Sequence, residues 1–331
     1  MVDLNSKYSL LEKAPSNIAL IKYMGKLPGT GNLPANPSLS YTLNHLTTSV
    51  AIKENKTSNV DKWEALNAQF QLTKKAQEKF LKHWQYLKNY FSIKGNYTIF
   101  SANNFPTACG LASSASSFAA LTKAAYKLAL NQGSEKLSVA HLANLSRKGS
   151  GSSCRSLLMP WVQWQEAAIK TVPTHEDYKD IKHNVLLIST KEKEVGSSEA
   201  HRRVLKHSHF SERIERSEKR FIQLKQLLLQ PNQFLAIKDL VWKEFMDMHQ
   251  LFETCPKAFS YFTPVVSSVL NDLNAFITKE KINLWVTMDA GPNIHLLYKE
   301  KEEERINIYL SQLVKQYAIM DLLTLNREKN V

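Results

Sequence analysis

Four short stretches of this chain carry residue types suited to an anionic substrate. In "NFPTACGLASSAS", Pro106, Gly110, Leu111 and Ala112 lead into Ser113 and Ser114, where a helical pattern begins. A helix start presents unpaired N–H groups and partial positive charge, and small side chains let an anion reach them. Gly110 can take a backbone shape closed to other residues, and the two serine hydroxyls can bind phosphate or magnesium. No Gly-Lys-Ser/Thr follows, so this is not a Walker loop. A tight strand-to-helix turn accounts for the same residues equally well.

The second stretch, "RKGSGSSCRS", sets Ser150 and Ser152 on alternate positions ahead of Arg155. Arg155 can grip a carboxylate or phosphate with two parallel bonds, although a plain loop would have this composition too. In the third, "NIALIKYMGK", Lys22 lies in an apolar run and Lys26 follows Gly25. A lysine there needs an exit to solvent, the less costly option, or a negative partner. The fourth, "MDAGPN", ends a strand on Asp289, and an aspartate that caps its own turn is the local alternative to a reactive one.

These stretches need a frame of strands and helices. "NIALIKY", "PSLSYTL", "TTSVAIKE" and "NYTIFSANN" read as strands, and Phe80, Trp84, Leu87 and Phe91 recur at helical spacing as a core stripe. A small-residue helix from Ser113 to Leu130 and a second one ending at Gly149 come next, then "MPWVQWQE" and "NVLLIST" as strands. Beyond about residue 190 long amphipathic helices dominate. "NLWVTMDAGPNIHLLYKE" then reads as a hairpin, and a helix and strand end the sequence. No internal repeat is visible.

With 331 residues and 43% hydrophobic content, the chain has enough material for two modest domains or one large α/β unit. The absence of a leader pattern and of a long uncharged apolar run predicts no membrane association and a cytoplasmic location. Cys109, Cys154 and Cys255 follow no pairing pattern and read as reduced thiols. The net charge of +13 admits nucleic acid as well as small anions. The lysines are spread, however, and "LTKKAQEKFLKH" and "SERIERSEKR" alternate with glutamates as solvated helix faces would. With no zinc-finger, RNP or KH signature, no nucleic-acid partner is expected. His201, His207 and His209 match no zinc spacing.

Taken in order, "APSNIALIKYMGK", "NFPTACGLASSAS", "GSGSSCRS" and "MDAGPN" closely resemble the motifs of diphosphomevalonate decarboxylases, members of the GHMP kinase superfamily. The resemblance implies an α+β GHMP kinase fold. Residues 1–192 would form an N-terminal domain like domain 2 of ribosomal protein S5, and 193–331 a ferredoxin-like C-terminal domain. It implies ATP, Mg2+ and mevalonate 5-diphosphate as ligands, a homodimer, and phosphorylation of the 3-hydroxyl followed by loss of phosphate and CO2, giving isopentenyl diphosphate. By motif, Pro106 to Ser114 would cradle the ATP phosphates, with Ser114 reaching Mg2+. Asp289, Arg155 and Lys22 would be catalytic, and Tyr23, Lys26, Ser150, Ser152 and Ser197 would bind substrate. A phosphomevalonate decarboxylase or a mevalonate 3-kinase would share most of these motifs, and a non-catalytic basic nucleic-acid-binding protein is the reading from another class.

Three positions depart from the family's commoner pattern. Met24 stands where tryptophan is usual, Pro37 where many members have serine, and "VGSSEAHRR" replaces the S-[ST]-x-G-M region at the diphosphate end. Ser197 keeps the expected hydroxyl. Ser198 and Glu199 supply no cation there, leaving Arg202 or Arg203 to compensate.

Overall fold

The computed structural model describes residues 8–105, 113–191 and 193–322. Strand β1 (Leu10–Ile21) begins earlier than the apolar pattern suggests, because Glu12, Lys13 and Pro15 interrupt the alternation without ending the strand. Among the described residues it pairs only with β2 (Ser38–Glu54), so the missing N–H of Pro15 faces the strand's other edge or a break in register. The two runs read as separate strands are one, β2, in which exposed Asn44 and His45 mark the register shift between Pro15 and Ser16 of its partner.

The first sheet runs β3 (Lys62–Ala65), β4 (Tyr97–Asn103), β2, β5 (Trp161–Gln165), β6 (Ala168–Thr171), with β1 also on β2. Strands β3 and β6, four residues each, are too short to give a periodic signal. Helix α1 (Lys74–Tyr90), whose N-terminus is capped by Thr73, packs on this sheet beside α2 (Ser113–Asn131) and α3 (Val139–Gly149). Ala119, Ala120, Ala124 and Ala125 let α2 come close to Val50 and Ile99, which is the use of its small residues.

The second sheet runs β10 (Met320–Asp321), β7 (Ile181–Leu187), β9 (Ile294–Lys299), β8 (Leu284–Met288). Here α4 (Ser197–Val204), α5 (Phe210–Leu228), α6 (Phe234–Thr254), α7 (Pro264–Glu280) and α8 (Glu303–Tyr317) supply the helical layer. The two sheets share one apolar core: Ile18, Leu39 and Trp161 of the first join Val185, Trp285 and Leu297 of the second through Phe221 and Val241 of α5 and α6. The α+β class read from the sequence is the one observed. Strand β7, which a division at 192/193 would leave with the N-terminal unit, hydrogen-bonds with β9 and β10 of the second sheet. Among the described residues no helix is long and apolar enough to cross a membrane.

Candidate active site

Lys22 comes directly after the last residue of β1, just beyond a second register shift between Ala19 and Ile21. Such a bulge bends a strand and re-aims the residues beyond it. The Lys22 N–H leaves the sheet and donates to Glu244 Oε1 at 3.0 Å, while its carbonyl accepts from Asn36 Nδ2 at 3.0 Å. Asn36 Oδ1 also accepts from the Met24 N–H. This clamp explains how a lysine can be only 2% exposed: its Nζ reaches Asp289 Oδ1 at 2.7 Å. The solvent exit expected for Lys22 is therefore replaced by a negative partner.

Asp289 is the first residue after β8, in the five-residue connection before β9. Its backbone carbonyl takes the turn bond from the Gly291 N–H and a second from His249 Nε2. The carboxylate is left to bond Lys22 rather than cap its own turn. Burial is the strongest influence on both partners, favouring the neutral form of each. For Asp289, Lys22, His295 and Arg155 outweigh it, and the carboxyl lies below the ordinary aspartate range and stays ionised. For Lys22, burial prevails over the pull of Asp289 and Glu244, and the ammonium titrates below the usual lysine value.

"GSGSSCRS" is not a loose loop. Ser150 ends α3, and Gly151–Leu157 forms a buried 3-10 turn. Gly151 is required by contact, since a Cβ there would lie 2.4 Å from the Tyr23 hydroxyl. Arg155, 3% exposed, donates from Nε to Asn17 Oδ1 (3.3 Å) and from Nη1 to Ser38 Oγ (2.9 Å). Asn17 also donates to the Ser152 carbonyl and Ser156 Oγ, so one amide locks the turn and orients the guanidinium. The guanidinium carbon lies 5.5 Å from the Tyr23 ring centre and 5.8 Å from that of Trp164.

These elements converge on a cavity of about 250 Å³ lined by Lys22, Tyr23, Lys26, Ser113, Ser114, Ser150, Ser152, Arg155, Ser197 and Asp289. Every site residue named from the sequence that is described lines this one space; Pro106, Gly110, Leu111 and Ala112 lie outside the described residues. Ser114 Oγ and Ser150 Oγ are 3.1 Å apart, tying the α2 start to the α3 end. Among the described residues that line this space, Lys22, Lys26, Lys79, Arg155 and Lys193 are accompanied by a single acidic side chain, Asp289. Such an excess of cations suits a polyanion. Among the described residues no group of three His, Cys, Asp or Glu could hold a metal. The hydroxyls of Ser113 and Ser114 nonetheless fit a Mg2+ that keeps phosphate oxygens and waters as most of its ligands.

Several participants escaped the sequence reading. Lys193 lines the cavity and donates to Ser197 Oγ and to the Ala290 carbonyl. Arg202 and Arg203 do not line it: both pair with Glu199, and the cation beside Ser197 in the cavity wall is Lys193. For Asn17 the only available signal was its place at the head of the apolar run Ile18 to Ile21. Glu244 and Asp247 on α6 receive Arg213, Arg216 and Arg220 of α5, which corrects the reading of "SERIERSEKR" as a solvated face. Arg213 is 2% exposed and Glu244 fully buried. The matching three- and four-residue spacings of opposite charge on consecutive helices were the available signal.

The chain matches two family models in succession, a diphosphomevalonate decarboxylase-like N-terminal domain over residues 14–176 and a mevalonate 5-diphosphate decarboxylase C-terminal domain over 184–330. It is 32% identical to the diphosphomevalonate decarboxylase of Debaryomyces hansenii, a match covering 90% of this chain and 81% of the relative. A crystal structure of a mevalonate diphosphate decarboxylase from Legionella pneumophila is 42% identical, with a TM-score of 0.84 over 91% of this chain and 96% of that one. The structure of MDDEF in complex with MVAPP, AMPPCP and magnesium is 27% identical, with a TM-score of 0.83 over 94% and 95% of the two chains.

Proposed function

The chain belongs to the diphosphomevalonate decarboxylase family, whose reaction is the ATP-dependent decarboxylation of mevalonate 5-diphosphate, and we propose that Asp289, Lys22 and Arg155 carry its chemistry. The enzyme uses ATP with Mg2+, and has the GHMP kinase fold. The observation that carries the residue assignments is the shared cavity, where, among the described residues, one carboxylate and the α2-terminal serines meet five cations. We place the enzyme in the cytoplasm as a homodimer.

ATP supplies the phosphoryl group. Asp289 accepts the hydrogen bond of the substrate's 3-hydroxyl and takes its proton during attack. It cannot do so beforehand: an aspartate near pKa ~3.9 and an alcohol near ~15.7 differ by about 12 units, or roughly 16 kcal/mol. A turnover of ~10 per second leaves a whole barrier of only about 16 kcal/mol. The lowered pKa of Asp289 widens the gap further. Proton loss therefore accompanies bond formation to phosphorus, where positioning and charge matter most. When the 3-phosphate leaves, positive charge grows at carbon 3, and the same carboxylate stabilises it. Lys22 keeps Asp289 ionised and aimed. Arg155 holds the substrate carboxylate in line for its departure as CO2. Ser150, Ser152 and Ser197 line the substrate, Ser113 and Ser114 face the phosphates of ATP, and Ser114 reaches Mg2+. Tyr23 and Lys26 face the diphosphate.

The test is a parallel turnover assay with mevalonate, its 5-phosphate and its 5-diphosphate, tracking ADP and CO2. Equal ADP and CO2 from the diphosphate are expected. ADP without CO2 would make the chain a 3-kinase, and preference for the monophosphate would make it a phosphomevalonate decarboxylase.

Lys26 predicts the alkaline limit of binding. Burial, helped by the nearby charge of Lys79, lowers its pKa to about 8. Its ammonium is present below that pH and is lost as pH rises through it. Because kcat/KM reports the free enzyme, kcat/KM for the diphosphate is expected to fall above pH ~8. In Lys26→Arg, which stays charged past pH ~12, that limb should move upward. An unmoved limb would remove Lys26 from the diphosphate site.

A further inference from the structure

His201 is almost wholly buried, with 5% exposure, and its ring lines the cavity. The Gly25 N–H donates to its Nδ1 at 3.0 Å. A nitrogen that accepts from an amide carries a lone pair, so in the neutral ring the proton sits on Nε2, which diverges from Gly25 across the ring. Among the described residues no carbonyl or side chain accepts from that Nε2–H. The ring is also fixed in plane, stacked on Tyr23 with centroids 4.7 Å apart and an interplanar angle of 26°. Gly25, at φ +86°, holds the backbone shape that presents its N–H, and Phe210 packs so closely that a Cβ there would lie 2.4 Å from its ring. A donor held by two supports on the cavity wall, with no acceptor among the described residues, is a recognition element for a ligand.

The cations around it locate that ligand. Its bond to Gly25 sets the ring beside the backbone that leads into Lys26, and Lys26, Lys193 and Arg155 line the same cavity. Burial, then those three charges, keeps the imidazole neutral. A neutral donor adds a directed bond to an anion without adding repulsion among the cations already present. We infer that His201 is a specificity-determining residue, its Nε2–H donating to the terminal phosphate of the substrate's diphosphate, a contact that a monophosphate is too short to make. The inference rests on the assignment of this cavity to mevalonate 5-diphosphate. Against the S-[ST]-x-G-M pattern, Ser197 to His201 align position by position, and His201 falls on the methionine. His201→Met is therefore the natural variant.

The experiment measures dissociation constants of mevalonate 5-diphosphate and mevalonate 5-phosphate by calorimetry, with kcat and KM alongside, for wild type, His201→Met and His201→Gln. Losing one hydrogen bond to a charged group should weaken binding of the diphosphate about tenfold in His201→Met and barely change the monophosphate. The loss should fall on KM rather than kcat. His201→Gln, which restores an N–H donor, should recover most of the preference. Equal weakening of both ligands, or an unchanged ratio, overturns the inference. A readout free of any folding defect is the imidazole 15N spectrum of the wild-type protein. Mevalonate 5-diphosphate without ATP should shift His201 Nε2 and mevalonate 5-phosphate should not; the same response to both overturns the role. Wild type that bound neither ligand would overturn the functional assignment itself, whereas normal wild-type turnover with an unmoved ratio in His201→Met removes only His201.

Discussion

Asp289→Asn is expected to lower turnover by about 10³-fold or more, in the range of a lost general base, while ATP affinity stays nearly intact. Two effects combine. The amide accepts a hydrogen bond but takes no proton, and it offers no negative charge to the cation developing at carbon 3. The variant also strips Lys22 of the partner now 2.7 Å away. An ammonium only 2% exposed and without that counter-ion favours release of its proton, so the site loses a positive and a negative charge together. Ser113 and Ser114, which we propose face the nucleotide, are left in place by the substitution. The measurement is single-turnover release of ADP and CO2, with ATP affinity determined by calorimetry. Near-normal turnover would remove Asp289 from the chemistry, and a large loss of ATP affinity would make its role structural.

The hairpin carrying Asp289 was legible because two short, largely apolar runs flank "DAGPN", which leaves few ways to turn. The helix stripe of Phe80, Trp84 and Leu87 was equally legible, since all three are buried on one face of α1. Long-range pairing was not. Nothing near Lys22 in the chain says that its partner lies 267 residues away, and the local alternatives of solvent exit and turn cap were the less costly ones. Arg213, Arg216 and Arg220 misled for a related reason: mixed charge on a helix looks the same whether water or another helix compensates it. The residues that line the shared cavity were singled out by the order of four motifs, not by the physics of any one of them. Where a motif departs from its pattern, as at His201, only the fold shows what the new side chain meets.

Arg155→Lys is the harder substitution to predict by intuition, because it conserves charge. Arginine satisfies Asn17 Oδ1 through Nε and Ser38 Oγ through Nη1 at once, and still has Nη2 for an external carboxylate. A lysine places three donors on one nitrogen and cannot reproduce that planar fork. If its ammonium reaches the substrate, the polar groups of Asn17 and Ser38 lose a buried donor; if it stays with them, the substrate carboxylate is held loosely. The expected result is a fall of about 10²-fold or more in kcat/KM for mevalonate 5-diphosphate, the scale associated with misplaced reacting groups. The products should also separate. Tight pairing stabilises the very carboxylate that must leave as neutral CO2, so Arg155 is useful only if alignment of the breaking bond outweighs that ground-state cost. In that case the first turnover of Arg155→Lys should release ADP ahead of CO2, because phosphorylation depends on Asp289 and decarboxylation on the direction of the carboxylate. Full activity with ADP and CO2 in step would reduce Arg155 to a scaffold for the 3-10 turn. A slowed reaction in which the two still appear together would confine its role to substrate binding.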